Sequence, residues 1–231
     1  MSVSSPSLLA ERLHVDEVRA SDAEPDYNVT PRAEVPIVAE TKEHLRVLDR
    51  VRWGLVPSWA KDLKIGDRLI NARSDGVATK PAYRKAFEKR RCLIPADGFY
   101  EWRVLPGPTK RKQKQPYFIA RVDREPMAFA GLYEVWRDRS DPDADAPWIR
   151  SCAIVTTDAN EKLAPIHDRM PVVLPESAWG EWLDVDNHDT ARLTQLLVPA
   201  PSDEFICYPV SKLVNKPADL PGEAKSLRVS A

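Results

Sequence analysis

Apolar and polar positions alternate for much of Leu45-Arg46-Val47-Leu48-Asp49-Arg50-Val51-Arg52-Trp53, the period of a half-buried β-strand. Val35-Pro36-Ile37-Val38-Ala39 lies just ahead of it, and the two runs predict an antiparallel pair. Further strands are predicted at Arg91 to Pro95, Phe99 to Val104, Tyr117 to Val122, Met127 to Ala130 and Ile149 to Thr156. Helical spacing shows at Ser7 to Val15, where leucines share one face and Ser5-Pro6 supplies an N-cap and a first-turn proline. Pro81 to Arg90 and Ser177 to Leu183 also read as helices. Strands outnumber helices, no repeat of fixed period occurs, and strands do not alternate regularly with long helices. The pattern therefore predicts an α+β domain around a mainly antiparallel, curved sheet.

Composition narrows this picture. With 231 residues, 43% of them hydrophobic, the chain can bury a substantial core, which excludes a disordered tail protein. Its 21 prolines punctuate many short apolar runs and its glycines number only 8, so the domain is rich in loops. Asp138 to Pro147 reads as a surface loop; Asp141, Asp143 and Asp145 lack the glycine and terminal glutamate of a calcium loop. No run approaches the ~18 apolar residues of a membrane span, and Met1 to Val15 carries no secretion signal, so a cytoplasmic location is expected. Cys92, Cys152 and Cys207 sit in or beside apolar runs with no CxxC pair and are expected to be reduced core thiols. The four histidines fall at no ligand spacing, so neither a metal nor another cofactor is expected. Basic and acidic residues, 34 against 35, nearly cancel, which excludes a polycationic coat but not a local basic groove. Lys110-Arg111-Lys112-Gln113-Lys114 reads either as a strip that follows a nucleic-acid backbone or as a solvated hairpin loop.

Four segments place polar groups in apolar or turn-rich surroundings. Trp53-Gly54-Leu55-Val56-Pro57-Ser58-Trp59 offers two rings that stack on nucleobases if they stand at a rim, or fill the core if they do not; for Trp53, ending an alternating strand, the core is the better fit. In Ile70-Asn71-Ala72-Arg73-Ser74-Asp75 an extended chain points Asn71 and Arg73 the same way, toward a phosphate and a carbonyl or amine; a turn with Arg73 paired to Asp75 accounts for the same residues. Pro95-Ala96-Asp97-Gly98-Phe99-Tyr100-Glu101-Trp102 sets Glu101 between aromatics, where its pKa rises toward neutrality, unless alternation turns it outward to solvent. Ala164-Pro165-Ile166-His167-Asp168-Arg169-Met170-Pro171 supplies His167, a general acid or base near neutrality, or an ordinary loop with a salt bridge. No GxSxG elbow or activated cysteine accompanies it, which disfavours a serine or cysteine protease.

Taken in order with Tyr27-Asn28-Val29-Thr30-Pro31, Gln115-Pro116-Tyr117, Phe129-Ala130-Gly131-Leu132-Tyr133 and Thr156-Thr157-Asp158-Ala159-Asn160, these segments resemble the SOS-response-associated peptidase (SRAP) family of abasic-site-processing proteins. The resemblance implies one domain over residues 1–231 with a β-barrel-like core and a few flanking helices, residues 222–231 forming a flexible tail. It implies a partner, single-stranded DNA carrying abasic sites, including junctions with duplex, and a monomer that associates with the nucleoid if the source is bacterial. In the family an N-terminal cysteine, exposed by autoproteolytic removal of Met, condenses through its α-amine with the sugar aldehyde and closes a thiazolidine ring through its thiol. The imine route also permits strand cleavage by β-elimination. By resemblance, Asn71 orients the amine, Glu101 shuttles protons and His167 acts at the sugar oxygen. Arg73 grips the adjacent phosphate, and Trp59, Pro31, Thr156 and Asn28 line the DNA channel.

The departure lies at the front. The family opens Met-Cys-Gly-Arg, whereas this chain opens Met1-Ser2-Val3-Ser4-Ser5. A start site assigned too late or a truncated front is the expectation. A cysteine-free member is the rival account, in which the Ser2 amine still forms an imine but its hydroxyl closes only a weaker, more reversible oxazolidine. The alternatives in function are a non-covalent binder of abasic or single-stranded DNA, and a peptidase acting on other proteins.

Overall fold

A computed structural model of the chain describes residues 4–20, 24–106, 113–138 and 146–216. Ser2, most of the expected loop at Asp138 to Pro147, the basic residues Lys110 to Lys112 and the expected tail lie outside the described residues.

Helix α1 (Pro6–Arg12) is followed by strands β1 (Glu17–Val18), β2 (Glu34–Glu40), β3 (Arg46–Trp53) and β4 (Asn71–Arg73). Then come helix α2 (Arg84–Lys89) and strands β5 (Arg91–Ala96), β6 (Phe99–Leu105), β7 (Gln113–Arg121), β8 (Met127–Trp136), β9 (Ile149–Asp158) and β10 (Arg169–Pro171). Helices α3 (Glu176–Leu183) and α4 (Thr190–Gln195) precede strand β11 (Phe205–Pro209) and a final 3₁₀ turn at Lys212–Asn215. Among the described residues no helix is long and apolar enough to cross a membrane.

The expected hairpin is present: β2 pairs antiparallel with β3, Val38 opposite Leu48. Pairing continues from β2 to β5, β8 and β9, and β9 returns to β3 through Arg52↔Ser151 and Trp53↔Cys152. Five strands thus close a ring, the barrel-like core expected. Pairing is mainly antiparallel, as expected, with β1 on β3, β3 on β9 and β4 on β9 parallel. A separate antiparallel sheet, β11-β7-β6, stands beside the ring.

Strand β5 is buried at every position, as a strand covered on both faces must be. On one face Leu93, with Val38 and Leu48, meets a cluster that includes Leu9, Leu13, Phe87, Trp179 and Trp182. On the other, Cys92 and Ile94 meet Ile119, Phe129 and Phe205. Helix α1 begins as expected, Ser5 capping it by accepting the Leu8 N–H, but ends at Arg12, before a left-handed His14. Leu9 and Leu13 are buried while Leu8 is exposed, so the leucines do not share one face as expected. Cys92 and Cys152 are core thiols, but Cys207 is only half-buried, a correction to the expectation for all three.

Arg91 joins the helices to the ring. Its buried guanidinium donates to the carbonyl oxygens of Phe87 (2.9 Å) and Glu88 (2.6 Å) at the end of α2, and of Trp182 (2.7 Å) and Asp184 after α3, and reaches Asn187 (2.9 Å). Those of Phe87, Glu88 and Trp182 belong to the last turns of α2 and α3, where helix carbonyls lack intrahelical partners. Burial pulls the Arg91 pKa down, yet a guanidinium keeps its proton. Arg91→Met strands these acceptors in the core and is expected to cost about 3 kcal/mol or more. Urea unfolding checks this; a loss below about 1 kcal/mol would contradict it.

Candidate active site

A cavity of about 510 Å³ lies between the ring and β6. Ile94, Phe129 and Ile154 from the ring form part of its wall, and Phe99, Tyr100, Glu101 and Trp102 from β6 face them. Asn28 to Pro31 and the Val214-Asn215 turn complete the rim. Three hydrogen bonds tie that rim together: Asn28 Nδ2 to the Val214 carbonyl (2.7 Å), Trp102 Nε1 to Asn215 Oδ1 (2.8 Å) and the Tyr100 hydroxyl to the Tyr27 carbonyl (3.0 Å). Burial pushes the Tyr100 phenol up to about 12, so it stays a donor.

Asn71 reaches the cavity because β4 lies parallel on β9 with Ala72 buried, which turns Asn71 and Arg73 to the opposite, exposed side. The Tyr83 hydroxyl donates to the Asn71 carbonyl (2.9 Å) and anchors the strand. Trp53 ends β3 with Nε1 donating to the Ile70 carbonyl (3.0 Å); it packs on the core and also lines the cavity, so both readings of it describe one side chain.

Glu101 is half-buried and lines the cavity, opposite Tyr117 in the β6–β7 hairpin. Burial raises its pKa, and the Asp168 charge adds to the rise. The charge of His167 and the Trp102 backbone N–H pull the other way. His167 itself stands outside the cavity wall but within electrostatic range of Glu101. Its Nδ1 accepts the Arg169 N–H (3.1 Å), which leaves the proton of a neutral ring on Nε2. Asp168 Oδ1 lies 3.2 Å from Nδ1.

The remaining expected residues stand farther along β4 and β9. Arg73 pairs in register with Thr156, and Asp75 holds its guanidinium (2.7 Å), the salt-bridge alternative. Thr156 is buried, its carbonyl accepting from Arg169 Nη2 (2.7 Å). Arg169 also pairs with Asp158 (2.8 Å). Trp59 is exposed, its Nε1 donating to the Pro81 carbonyl (3.3 Å). Thus Asn28, Pro31, Asn71 and Glu101 share the cavity, while His167, Arg73, Thr156 and Trp59 are not part of its wall. Sequence reasoning missed the Val214-Asn215 turn, which carries no motif.

None of Cys92, Cys152 or Cys207 lines the cavity, and burial pushes the Cys92 and Cys152 thiols up, away from thiolate. Among the described residues, Glu40, His44 and Asp184 form a group that could hold a metal, their ligand atoms within 4.8 Å of one another. Glu40 there already accepts from Val185 N (3.1 Å) and pairs with His44 (3.3 Å).

A family model described as SOS response associated peptidase (SRAP) matches residues 1–217. The chain belongs to the SRAP family. Among SRAP relatives, it is 40% identical over 210 residues to the abasic site processing protein YoqW of Bacillus subtilis, covering 90% of this chain and 89% of that one. The abasic site processing protein HMCES of Gallus gallus is 33% identical over 222 residues, 83% of this chain and 62% of that one. Among solved structures, a protein from Bacteroides thetaiotaomicron shares the fold with a TM-score of 0.84 at 24% identity, over 99% of this chain and 97% of that one. A phage-related protein from Bordetella bronchiseptica gives 0.69 at 30% identity, over 91% and 92% of the two chains.

Because the native Glu101 carboxyl titrates above the unfolded value of about 4.3, its contribution to stability is full below that value. It is lost as pH rises through the native pKa. Glu101→Gln cannot ionise, so relative to wild type it is expected to gain stability between about pH 4 and about pH 7. Urea midpoints of both proteins at the two pH values check the sign; equal differences would place Glu101 in a water-like setting.

Proposed function

We propose that this chain recognises abasic sites in single-stranded DNA, including at junctions with duplex, and captures the ring-opened sugar at the Asn71–Glu101 cavity. The observation that carries the reading is that Asn71 and Glu101, a carboxamide and a carboxyl of raised pKa, line one cavity walled in part by aromatic rings. Asn71 is exposed and lines the cavity, where its amide is suited to orient an amine or a carbonyl. The names of the relatives, abasic site processing proteins, support the same substrate.

An amine adds to the C1′ aldehyde to give a carbinolamine, which loses water to form an imine. That loss needs a proton donor at the departing hydroxyl and a base for the nitrogen, and Glu101 and His167 are suited to share them. With a cysteine at the N-terminus the thiol then adds across the imine and closes a thiazolidine, a durable cross-link. Without it the imine reverses or proceeds to β-elimination, a lyase outcome. Autoproteolytic release of the initiator Met belongs to the same reading. Arg73 meets the adjacent phosphate once Asp75 yields it, and Trp59 stacks on a flanking base.

Because the described cysteines all stand away from the cavity, a second reading is a non-covalent binder that shields abasic or single-stranded DNA. Borohydride trapping on abasic single-stranded DNA, read on a denaturing gel, separates the two. The proposal expects a reduced adduct, slowed about 10²-fold or more in Glu101→Gln and Asn71→Ala, and a heat-stable adduct without borohydride in Ser2→Cys. Binding with no adduct from either protein would favour the non-covalent reading. Trp59→Ala is expected to weaken binding by about 1–3 kcal/mol, measured by fluorescence anisotropy; unchanged affinity would remove Trp59 from the DNA path.

A further inference from the structure

We infer that Tyr83 is a positioning residue, its hydroxyl holding the Asn71 main chain so that the Asn71 carboxamide keeps its place in the cavity. The hydroxyl donates to the Asn71 carbonyl (2.9 Å) across 12 residues of sequence. The inference rests on the function proposed above, because it concerns how one of the two proposed capture groups is aimed.

Strand β4 is only three residues long, and among the described residues it pairs with β9 alone. On that side the Ile154 N–H donates to the Ile70 carbonyl (3.1 Å) and the Ser74 N–H to the Thr156 carbonyl (2.9 Å). Every second residue of a parallel strand bonds a given neighbour, so the carbonyls of Asn71 and Arg73 face away from β9. The Arg73 carbonyl accepts the Gly76 N–H within a turn (3.0 Å). The Asn71 carbonyl accepts from Tyr83, which grips the outer edge of β4 at the residue that lines the cavity.

Tyr83 is itself well fixed. Its ring is buried in one cluster with Ala72, Ala86 and Phe87. Its N–H donates to the Lys80 carbonyl (2.9 Å) and its carbonyl accepts the Phe87 N–H (2.8 Å), at the start of α2. Burial pushes the phenol up to about 12, so the hydroxyl remains a donor throughout the neutral range.

Core packing does not account for the hydroxyl, since a phenylalanine fills the same space. What the hydroxyl adds is the setting of β4 about its one buried side chain, Ala72. Glu101 comes from β6, in the other sheet, so its placement relative to Asn71 depends on β4 not turning. A misplacement of about 1 Å can cost as much as 10²-fold in rate.

Tyr83→Phe, Asn71→Ala and the double variant, all in the full chain, test this. Each is compared with wild type for affinity toward single-stranded DNA carrying a tetrahydrofuran abasic analogue, for thermal midpoint, and for the rate of borohydride-trapped adduct at saturating abasic DNA. The expected result for Tyr83→Phe is affinity within about twofold of wild type and a saturating rate reduced about 10-fold. In the Asn71→Ala background the same substitution should cost no further rate, as for a group acting through Asn71. A merely structural hydroxyl would lower the thermal midpoint and leave the saturating rate in place. An unchanged rate, parallel losses of rate and affinity, or an equal loss of rate in both backgrounds would overturn the inference. If wild type forms no adduct, the proposed chemistry fails by itself, and the Asn71 side-chain amide signal in an NMR spectrum, assigned by its loss in Asn71→Ala, then decides separately. A broadened or doubled signal in Tyr83→Phe supports the positioning role, and a single signal of unchanged width overturns it.

Discussion

The site depends on the short parallel contact that closes the ring of strands, where Arg52 and Trp53 at the end of β3 pair with Ser151 and Cys152 of β9. That contact brings Trp53 to the cavity wall and lets the chain leave β3 through Gly54, at φ 122. A side chain there would meet the Gly66 carbonyl oxygen at 2.7 Å, so the path is open only to glycine. The chain then returns as β4 beside β9, in the register that sets Asn71 against Ile154 and Arg73 against Thr156. Closing the ring thus sets the register of one half of the site.

The other half comes from the β6–β7 hairpin, which is not part of the ring. Glu101 is placed by the register of that hairpin and by the rim contacts from Tyr100 and Trp102, while its protonation is set by opposed influences. Burial raises its pKa, His167 lowers it, and Asp168 raises it again. The Glu101 carboxyl thus sits under opposed charges, one from His167 and one from Asp168. The arginines nearby are held by acids in turn, Arg73 by Asp75 and Arg169 by Asp158, so the positive charge is present but masked.

Most of the strands were legible because alternation and apolar runs are local signals. Val35 to Trp53 reads as a hairpin in either form of description, and β5 and β9 fall within a residue or two of where their apolar runs place them. Less was legible where pairing depends on distant partners. β8 runs on to Trp136, well past Ala130, because β9 supplies a partner for each further residue. β10 and β11 are short and proline-containing, and only their antiparallel neighbours make them strands. Asn71 and Glu101, each of which interrupts an apolar stretch, were legible as candidates, and both line the cavity. Thr156 shows the opposite limit: in a strand of mixed burial, a polar residue faces inward or outward according to register, and here it is buried. The Val214-Asn215 turn left no trace because its role comes from contact with Asn28 and Trp102, far away in sequence.

The central claim is that the cavity between β4 and β6 receives the abasic sugar. A crystal structure of the full chain with single-stranded DNA carrying one tetrahydrofuran residue tests it most directly, since that analogue has no aldehyde and reports binding apart from capture. The account predicts the tetrahydrofuran ring inside the cavity, within van der Waals contact of Asn71 and Glu101, with the flanking phosphate toward Arg73. DNA bound on another face, or a base rather than the sugar seated in the cavity, would contradict it.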